Sequence, residues 1–454
     1  MKNIFVIIAI TAVLCLSGCG LHKPYTPVNQ APEQVMGRGV VESDNNIADI
    51  SWRELFSDPQ LQSLIDKALS NNTDLKTCHL RVQEMEYALS ASKLAFFPSV
   101  SFAPSASINY LPKSNSSAFT YGLPLNVSWQ IDIFGSITNK KRETQALYEQ
   151  MRDFDQAAQA ELIANTASLY YQLLMLDRQL QVVHETEIIW QKGIDTQRAF
   201  LEAGIGNSSA VDQLTASLYN IQAQAIDIER TIRTYENAIC VLLSEPSHSI
   251  ERGNLDDFEL PEMIGVGVSA SLLQNRPDVR AAQRGVEAAY YVNKQAVADL
   301  YPKLTLGGLA GWGTNISGIT LDPAQIILNA VGQLAQPIFA NGQLRANVKI
   351  TEAQQEEAKL AFTHAVIKAG NDVNNAIAVC QCAKDKNEIL GNRVEALSSA
   401  YAASTELLAQ GQGTFLEVLN AQESLLDAQL SQVNNAFDAI QGLISLYLAL
   451  GGGK

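Results

Sequence analysis

The apolar positions of the chain form two kinds of pattern, one with a helical period and one that alternates. The longest helical stripe runs from Leu147 to Val183 and advances 36 residues in ten turns, which is the 3.6-residue period of a nearly straight helix. The stripe that follows, from Leu218 to Ile239, alternates steps of three and four residues, as in a coiled coil. We therefore predict a long helix over about 140–203, followed by a returning helix.

The same plan recurs in the second half of the chain. A stripe from Phe362 to Cys380 predicts a second long helix, and 415–449 is predicted to form a second returning helix. Neither pair of predicted helices contains a proline, which would break or kink them.

Two segments before the first long helix, about 100–110 and 119–133, alternate apolar with uncharged polar residues. This period of two predicts strands with one apolar and one polar face. Such strands, about 9–11 residues long, are typical of transmembrane sheets. A half-buried hairpin of a soluble domain has the same pattern and remains an alternative. The second half has weaker versions at about 304–313 and 324–338, rich in glycine and alanine.

The chain carries an internal duplication. Leu69–Phe102 and Leu273–Leu306 align without a gap at an offset of 204 residues, and each predicts a helix followed by a strand. Their six identities are about three times the roughly two expected from ordinary composition. We predict a first structural repeat over 51–245, a linker over 246–268 and a second repeat over 269–450.

The N-terminus has the features of a secretory signal. An apolar run from Ile4 to Leu16 is too short to span a membrane. It ends in Leu16-Ser17-Gly18-Cys19, which resembles a bacterial lipoprotein signal and implies a covalent lipid on Cys19. We expect a signal peptide over 1–18 and a lipidated tether over 19–50. An ordinary signal peptide with a coincidental cysteine is the alternative.

Composition argues against several functional classes. The net charge of −15 argues against binding to nucleic acid phosphates. The six cysteines are scattered, and the spacing of Cys380 and Cys382 suits neither a zinc site nor a thioredoxin-like pair. Since no nucleotide-binding or catalytic motif occurs, we expect no enzyme activity, no catalytic residue, no metal and no cofactor apart from the lipid on Cys19.

Taken in order, these features resemble the lipoprotein outer-membrane channels of tripartite efflux systems of the RND type, related to TolC. The resemblance covers about residues 16–450. Besides the lipoprotein signal, it is carried by five segments: Trp52 to Leu61, Trp129 to Gly135, Asn275-Arg-Pro-Asp278 with the residues up to Ala282, Pro337 to Gly342, and Gly413 to Ala421.

The resemblance implies a mixed α and β membrane protein that assembles as a homotrimer. Four transmembrane strands from each subunit would form a 12-stranded barrel, continued by long α-helices as a periplasmic tunnel. Physical reasoning agrees, since four strands alone leave two open edges that lipid does not tolerate. The implied partners are outer-membrane lipid, a periplasmic adaptor (membrane fusion) protein and an inner-membrane RND-type transporter.

The resemblance also implies where the tunnel narrows and where the adaptor binds. For the charged aperture candidates Glu417 and Asp212, the alternative is that they are solvated acidic residues at helix starts, where the positive end of the helix dipole favours them. Simple turn formation, with glycine needed for a positive φ, is an alternative for the adaptor contacts at the hairpin tips. The aperture candidates are Leu416, Glu417, Asn420 and Asp212, and the tip candidates are Gly204, Gly206, Gly411 and Gly413.

The function implied is a passive duct for export of drugs or other small toxic compounds. Use of the same fold for type I protein secretion or metal-ion efflux is an alternative. A structural periplasmic lipoprotein that conducts nothing is an alternative of another class.

Overall fold

The computed structural model describes residues 23–26, 51–111, 116–204, 207–257, 276–313 and 327–452. Its helices, in chain order, are α1 Trp52–Leu55, α2 Pro59–Asn71, α3 Thr73–Leu94, α4 Ser136–Glu202, α5 Ser208–Leu243, α6 Pro277–Ala298, α7 Gln343–Ala409 and α8 Phe415–Ala449, with a 3₁₀ turn at Leu255–Asp257. Its strands are β1 Ser99–Phe102, β2 Ser105–Leu111, β3 Ser116–Ile131, β4 Lys303–Gly313 and β5 Ile327–Ala335. Among the described residues, no helix is both long and apolar enough to cross a membrane.

Two compact units make up the chain, and each takes segments from both predicted repeats. The first unit comprises Met1–Gln30, Leu80–Asp153 and Arg280–His364, and the second comprises Ala31–His79, Phe154–Val279 and Ala365–Lys454. The repeat boundaries at 51–245, 246–268 and 269–450 therefore stay a prediction about the sequence. The signal peptide over 1–18, most of the tether over 19–50 and part of the linker lie outside the described residues.

The first unit contains one antiparallel sheet in the order β1–β3–β4–β5, with β2 also paired to β3. β1 and β2 keep a single register against β3, from Ser99 opposite Ser128 to Leu111 opposite Ser116. They form one interrupted strand, so the sheet consists of the four segments that the sequence predicts.

The interruption has a chemical cause, since two prolines meet there. Pro104 separates β1 from β2, and Pro124 of β3 lies opposite this break. Neither residue can donate a backbone hydrogen bond. The N–H of Ala103 still reaches the carbonyl of Pro124 at 3.3 Å. On its other side Pro124 pairs with Gly311, where a Cβ atom would lie 2.4 Å from the carbonyl oxygen of Leu123. Only glycine fits this close approach.

One face of the sheet carries the apolar side chains and the other carries polar ones. Trp129, Leu306 and Gly332 lie in one row across β3, β4 and β5. In the next row, on the opposite face, lie Gln130, Thr305 and Gln333. The large apolar side chains of the first face stay exposed in the single chain, for instance Val100, Phe102, Ile108, Trp129, Leu306 and Leu328. The sequence pattern therefore predicts the two faces correctly.

The second unit is helical, and its core follows the predicted stripes. α5 buries Leu214, Leu218, Ile221, Ala225, Ile228, Ile232 and Ile239. The largest fully buried side chains of the chain include Tyr170 and Tyr171 of α4 and Tyr447 of α8. Because these helices bury a continuous stripe rather than a single patch, their apolar residues recur at a helical period along most of their length.

The duplication is visible in the backbone. α4 and α7 each have 67 residues, about 100 Å at 1.5 Å per residue, and begin 207 positions apart. Each is preceded by a glycine with φ of 77°, Gly135 in one repeat and Gly342 in the other. A left-handed residue also ends each returning helix, Ser244 after α5 and Gly451 after α8. All three spacings are 207 residues, so the repeats share their turns as well as their helices.

Candidate aperture and hairpin tips

The first hairpin tip, in the second unit, joins α4 to α5. The chain leaves α4 at Gly204, whose φ of 74° is left-handed and whose N–H donates to the carbonyl of Leu201 at 3.1 Å. Asn207 then caps α5, since its side-chain oxygen accepts the N–H of Ser209 at 2.9 Å. A glycine stop followed by an asparagine cap makes a tight helix–helix turn. Gly206 lies outside the described residues.

The second tip, between α7 and α8, closes with a fuller set of bonds. Gly411 has a φ of 73°, and its N–H donates to the carbonyl of Leu408 at 3.0 Å. The N–H of Gln412 donates to the carbonyl of Leu407 at 2.9 Å, which completes a Schellman motif.

Gly413 does not have the positive φ predicted for it. A Cβ atom there would lie 3.1 Å from Leu407 Cβ and 3.1 Å from the Leu408 nitrogen. Glycine is favoured here because the chain returns closely against the end of α7, which is a different physical reason from the predicted one. Gly204 and Gly411 do have the predicted positive φ.

The aperture candidates at the start of α8 share one exposed surface. Leu416, Glu417 and Asn420 are all exposed, with Leu416 at 55 %, whereas Leu419 beside them is buried at 8 %. Residues at positions i, i+1 and i+4 of a helix lie on one side, so the three side chains form a single patch. Asp212 is exposed on the first turns of α5.

Glu417 already has a local partner. The N–H of Thr414, the N-terminal cap of α8, donates to Glu417 Oε2 at 2.9 Å, as in a capping box. One carboxylate oxygen thus stabilises the helix start, and the other is not used by this bond. The structure therefore supports the helix-start interpretation for one oxygen of Glu417, and its aperture role stays a prediction.

Polar contacts tie each hairpin together some way from its tip. Gln222 of α5 donates to Glu187 of α4 at 2.8 Å, and Arg393 of α7 pairs with Asp427 of α8 at 2.6 Å. Hydrogen bonds from Gln222 and His184 lower the pKa of Glu187. Between hairpins, Ser217 of α5 donates to Glu423 of α8 at 3.4 Å. These bonds hold the helices in register above the tips.

The far end of the returning helices is held by a buried cation. Arg276 is 7 % exposed and donates to the carbonyl of Ala449, in the last turn of α8, at 3.1 Å. Its guanidinium also binds Asp278 at 2.8 Å and Asp372 of α7 at 3.1 Å. Across the described residues, no cluster of three or more His, Cys, Asp or Glu side chains is suited to a metal ion.

Comparison with known proteins agrees with this architecture. A sequence profile described as outer membrane efflux protein matches residues 64–245 and 268–452. The chain belongs to the outer membrane efflux protein family. It is an outer-membrane channel component of an efflux pump, as the resemblance implied.

Individual members of the outer membrane efflux protein family match over nearly the whole length. The chain is 26 % identical to the cation efflux system protein CusC of Escherichia coli (strain K12), covering 97 % of both. It is 27 % identical to the antibiotic efflux pump outer membrane protein ArpC of Pseudomonas putida, covering 98 % of this chain and 95 % of that one. The CmeC outer membrane channel of Campylobacter jejuni shares the fold at a TM-score of 0.84, with 20 % identity over 95 % of this chain and 94 % of that one.

In this outer membrane efflux protein, the structure brings only some of the predicted site residues together. Leu416, Glu417 and Asn420 share a patch, and Asp212 lies on a different helix. Cys19 lies outside the described residues. The contacts of Arg276 with Asp372 and with the carbonyl of Ala449 were not predicted, because contacts between distant segments have no local sequence pattern.

Proposed function

We propose that this outer membrane efflux protein works as a homotrimer and as a passive duct, with energy supplied by an inner-membrane RND-type transporter. The observation that carries the proposal is the sheet: in the described part of the chain, the first strand segment and β5 each pair on one side only. Unpaired edges are costly in lipid, and two further copies can pair them. A duct of this kind needs neither a catalytic residue nor a cofactor.

The proposed route through the trimer follows from the two faces of the sheet. The exposed apolar side chains suit contact with lipid, and the face with Gln130, Thr305 and Gln333 suits contact with water. The helices α4 and α7, each about 100 Å long, continue the duct into the periplasm.

A periplasmic adaptor is proposed to bind the hairpin tips. The tight turns at Gly204 and Gly411 support this, because a tip whose backbone is fixed by left-handed glycines and hydrogen bonds presents a constant surface. Gly206 and Gly413 belong to the same proposed surface. Cys19 is proposed to carry the lipid anchor, because the segment Leu16 to Cys19 resembles a lipoprotein signal. Two or three acyl chains on this residue would give a stable attachment to the membrane.

The cargo is proposed to be drugs or other small toxic compounds. Relatives at 26–27 % identity are named for cations, antibiotics and toluene, so overall identity does not choose among them. Selection by the transporter rather than by the duct accounts for this spread.

The duct is tested by deleting the gene and restoring it. We expect the deletion strain to accumulate a fluorescent dye or antibiotic and the restored strain to clear it. Purified protein in planar bilayers is expected to conduct ions. Unchanged accumulation, together with no ion conductance in the planar bilayer, would contradict the duct and favour a structural lipoprotein.

The aperture is tested by Glu417→Gln, which removes the charge and keeps an oxygen for the Thr414 N–H. A ring of three carboxylates favours cations, so we expect a lower cation preference in single-channel recordings. The control is Glu423→Gln, two turns along the same helix. Unchanged selectivity in Glu417→Gln would remove this residue from the aperture.

A further inference from the structure

A short N-terminal segment, Lys23–Thr26, lies against two adjacent tyrosines of α6 in the first unit. The backbone N–H of Tyr25 donates to the hydroxyl of Tyr291 at 3.1 Å. The ring of Tyr25 packs on that of Tyr290 with centroids 5.5 Å apart, and the Tyr290 hydroxyl donates to the carbonyl of Lys23 at 3.5 Å. Two backbone groups and one ring are therefore recognised by one pair of side chains.

The pair is held in place by its own neighbours. The guanidinium of Arg142, in the first turns of α4, lies 5.8 Å from the centre of the Tyr291 ring, and Lys294 lies 5.2 Å from that of Tyr290. Cations over aromatic faces attract them and fix the rings. Burial raises the pKa of Tyr290, so its hydroxyl keeps the proton that it donates.

The duplication supplies an internal comparison. Tyr291 is 4 % exposed, whereas Tyr87, its counterpart 204 residues earlier, is 73 % exposed. The residue before Tyr87 is Glu86, so the first repeat lacks the tyrosine pair. Within the described residues no hydrogen bond or ring contact joins Tyr87 to Lys23–Thr26, whereas both tyrosines of α6 contact that segment.

We propose that Tyr290 and Tyr291 are a docking site for the chain's own N-terminal segment, and that they position the lipid of Cys19 beside the base of the sheet. This rests on the proposed lipidation of Cys19. Lys23 lies four positions after Cys19, and these four steps of the chain span at most about 14 Å. From Tyr291 to the end of α6 at Ala298 is about 10 Å, and β4 begins at Lys303. A lipid on Cys19 is therefore within reach of the level at which the sheet begins.

Docking shortens the chain between the lipid and the folded body. A tether is predicted over 19–50, so without docking 32 positions rather than four separate Cys19 from the folded body. Effective concentration falls roughly as the −3/2 power of linker length, so an eightfold longer linker lowers it about 20-fold. The docked segment therefore holds the strands at the membrane surface, and insertion into the outer membrane is the step that it accelerates.

The docking is tested in cells with the full-length chain, by placing a photo-crosslinking benzoylphenylalanine at position 25. The aromatic ring and backbone N–H are kept, so we expect crosslinks to the tryptic peptide Gly285–Lys294, which contains both tyrosines. The double substitution of Tyr290→Ala with Tyr291→Phe is expected to reduce the crosslink at least fivefold, and Tyr87→Phe to leave it unchanged. Absence of this crosslink in the otherwise unaltered chain would overturn the docking.

The consequence is tested by pulse–chase labelling, with insertion scored as resistance of the sheet to added protease, because the lipid alone would make the chain resist urea extraction. We expect the double variant to insert between about 5- and 20-fold more slowly, and Tyr87→Phe to insert within twofold of the unaltered protein. Palmitate labelling of the same samples separates the two proposals. Labelled chains that lose the crosslink but insert at the normal rate would overturn the positioning role, whereas an unlabelled chain that still crosslinks would refute lipidation and leave docking intact.

Discussion

The two repeats use one position in different ways. Asn72, just before α3, donates from its side chain to the carbonyl of Leu242 at 2.9 Å, and Arg276, just before α6, donates to the carbonyl of Ala449 at 3.1 Å. Asn72 and Arg276 are 204 residues apart, and the two carbonyls, each near the end of a returning helix, are 207 apart. The duplication has therefore kept the contact between the same two elements and changed the donor.

The change of donor alters what holds the contact. Asn72 is neutral, and its side-chain oxygen accepts the N–H of Leu75 at 2.8 Å, so its hydrogen bonds are complete without a charge. Arg276 brings a buried charge that needs Asp278 and Asp372 to offset the cost of desolvation. The second repeat thus depends on a charged network where the first depends on two neutral hydrogen bonds. The repeats should respond differently to mutation and to pH.

The largest difference is expected when each donor is removed. Arg276→Met keeps the apolar length and removes the donor shared by two carboxylates and by the carbonyls of Ala369 and Ala449. We expect this to cost about 2–4 kcal/mol in the free energy of unfolding. The carboxylates are partly exposed and can rehydrate, which keeps the cost below that of a fully buried pair. Asn72→Ala loses two hydrogen bonds and is expected to cost about 1–2 kcal/mol. Urea unfolding of the helical circular dichroism signal of the purified protein measures both.

The exchange Arg276→Asn is the matched control, because it gives the second repeat the donor of the first. Asparagine is too short to reach all the partners of arginine, so its cost should stay close to that of Arg276→Met. Equal costs for Asn72→Ala and Arg276→Met would contradict the charged network.

A second contrast lies in the sheet, where Pro124 faces the interrupted strand of the first repeat and Gly311 of the second. Gly311→Ala places a Cβ 2.4 Å from the carbonyl oxygen of Leu123 and forces β3 and β4 apart, at an expected cost of about 1–3 kcal/mol. At Gly308, three residues away, the nearest atoms are 3.8 Å from a Cβ, so Gly308→Ala should be tolerated. The yield of folded protein in outer-membrane fractions compares the two, and similar yields would show that β3 and β4 are less closely paired.

The fold could be predicted from sequence because its signals are local and repeated. The stripe of α5 and the alternation in β3 each follow from the period of one element, and the helix over 415–449 matches α8 at both ends. The duplication added a second example of the strands and of the helices α3, α4 and α5, which correspond to α6, α7 and α8.

The contacts between parts of the chain that are distant in sequence could not be predicted in the same way. Arg276 lies 173 residues from the carbonyl of Ala449, and Tyr25 lies 266 residues from Tyr291. Gly413 is predicted to have a positive φ, whereas the structure gives it none and leaves little space beside Leu407. The sequence showed which residue types were present but not which distant groups would face them.

The two hairpin tips should differ little from each other, since both use a left-handed glycine. Gly204→Ala and Gly411→Ala each force an alanine into a positive φ and are expected to cost about 1–2 kcal/mol. Gly391 provides a control of opposite sign, because it lies inside α7 with no atom within 4 Å of a Cβ, so Gly391→Ala should stabilise by about 0.5–1 kcal/mol. The urea concentration at the midpoint of unfolding ranks the three variants. A stabilising effect of Gly411→Ala would exclude a left-handed backbone conformation at this tip.

The smallest expected difference between the repeats is their response to acid. Burial alone would raise the pKa of Asp278, but the hydrogen bonds and charge of Arg276 outweigh it and lower the pKa below its ordinary value of 3.8. A carboxylate with a lowered folded-state pKa contributes stability above its unfolded-state pKa, and this contribution is lost as pH falls through the folded-state value. The difference in the free energy of unfolding between the unaltered protein and Arg276→Met should therefore become smaller as pH falls from 6 to below 3.8. The change should be modest, because Asp278 is partly exposed and screened.

The control is Asn72→Ala, which breaks neutral hydrogen bonds. Its difference in the free energy of unfolding from the unaltered protein should stay nearly constant over the same pH range. Parallel pH dependence of the two differences would mean that the charge on Arg276 adds nothing to the neutral contact made by Asn72.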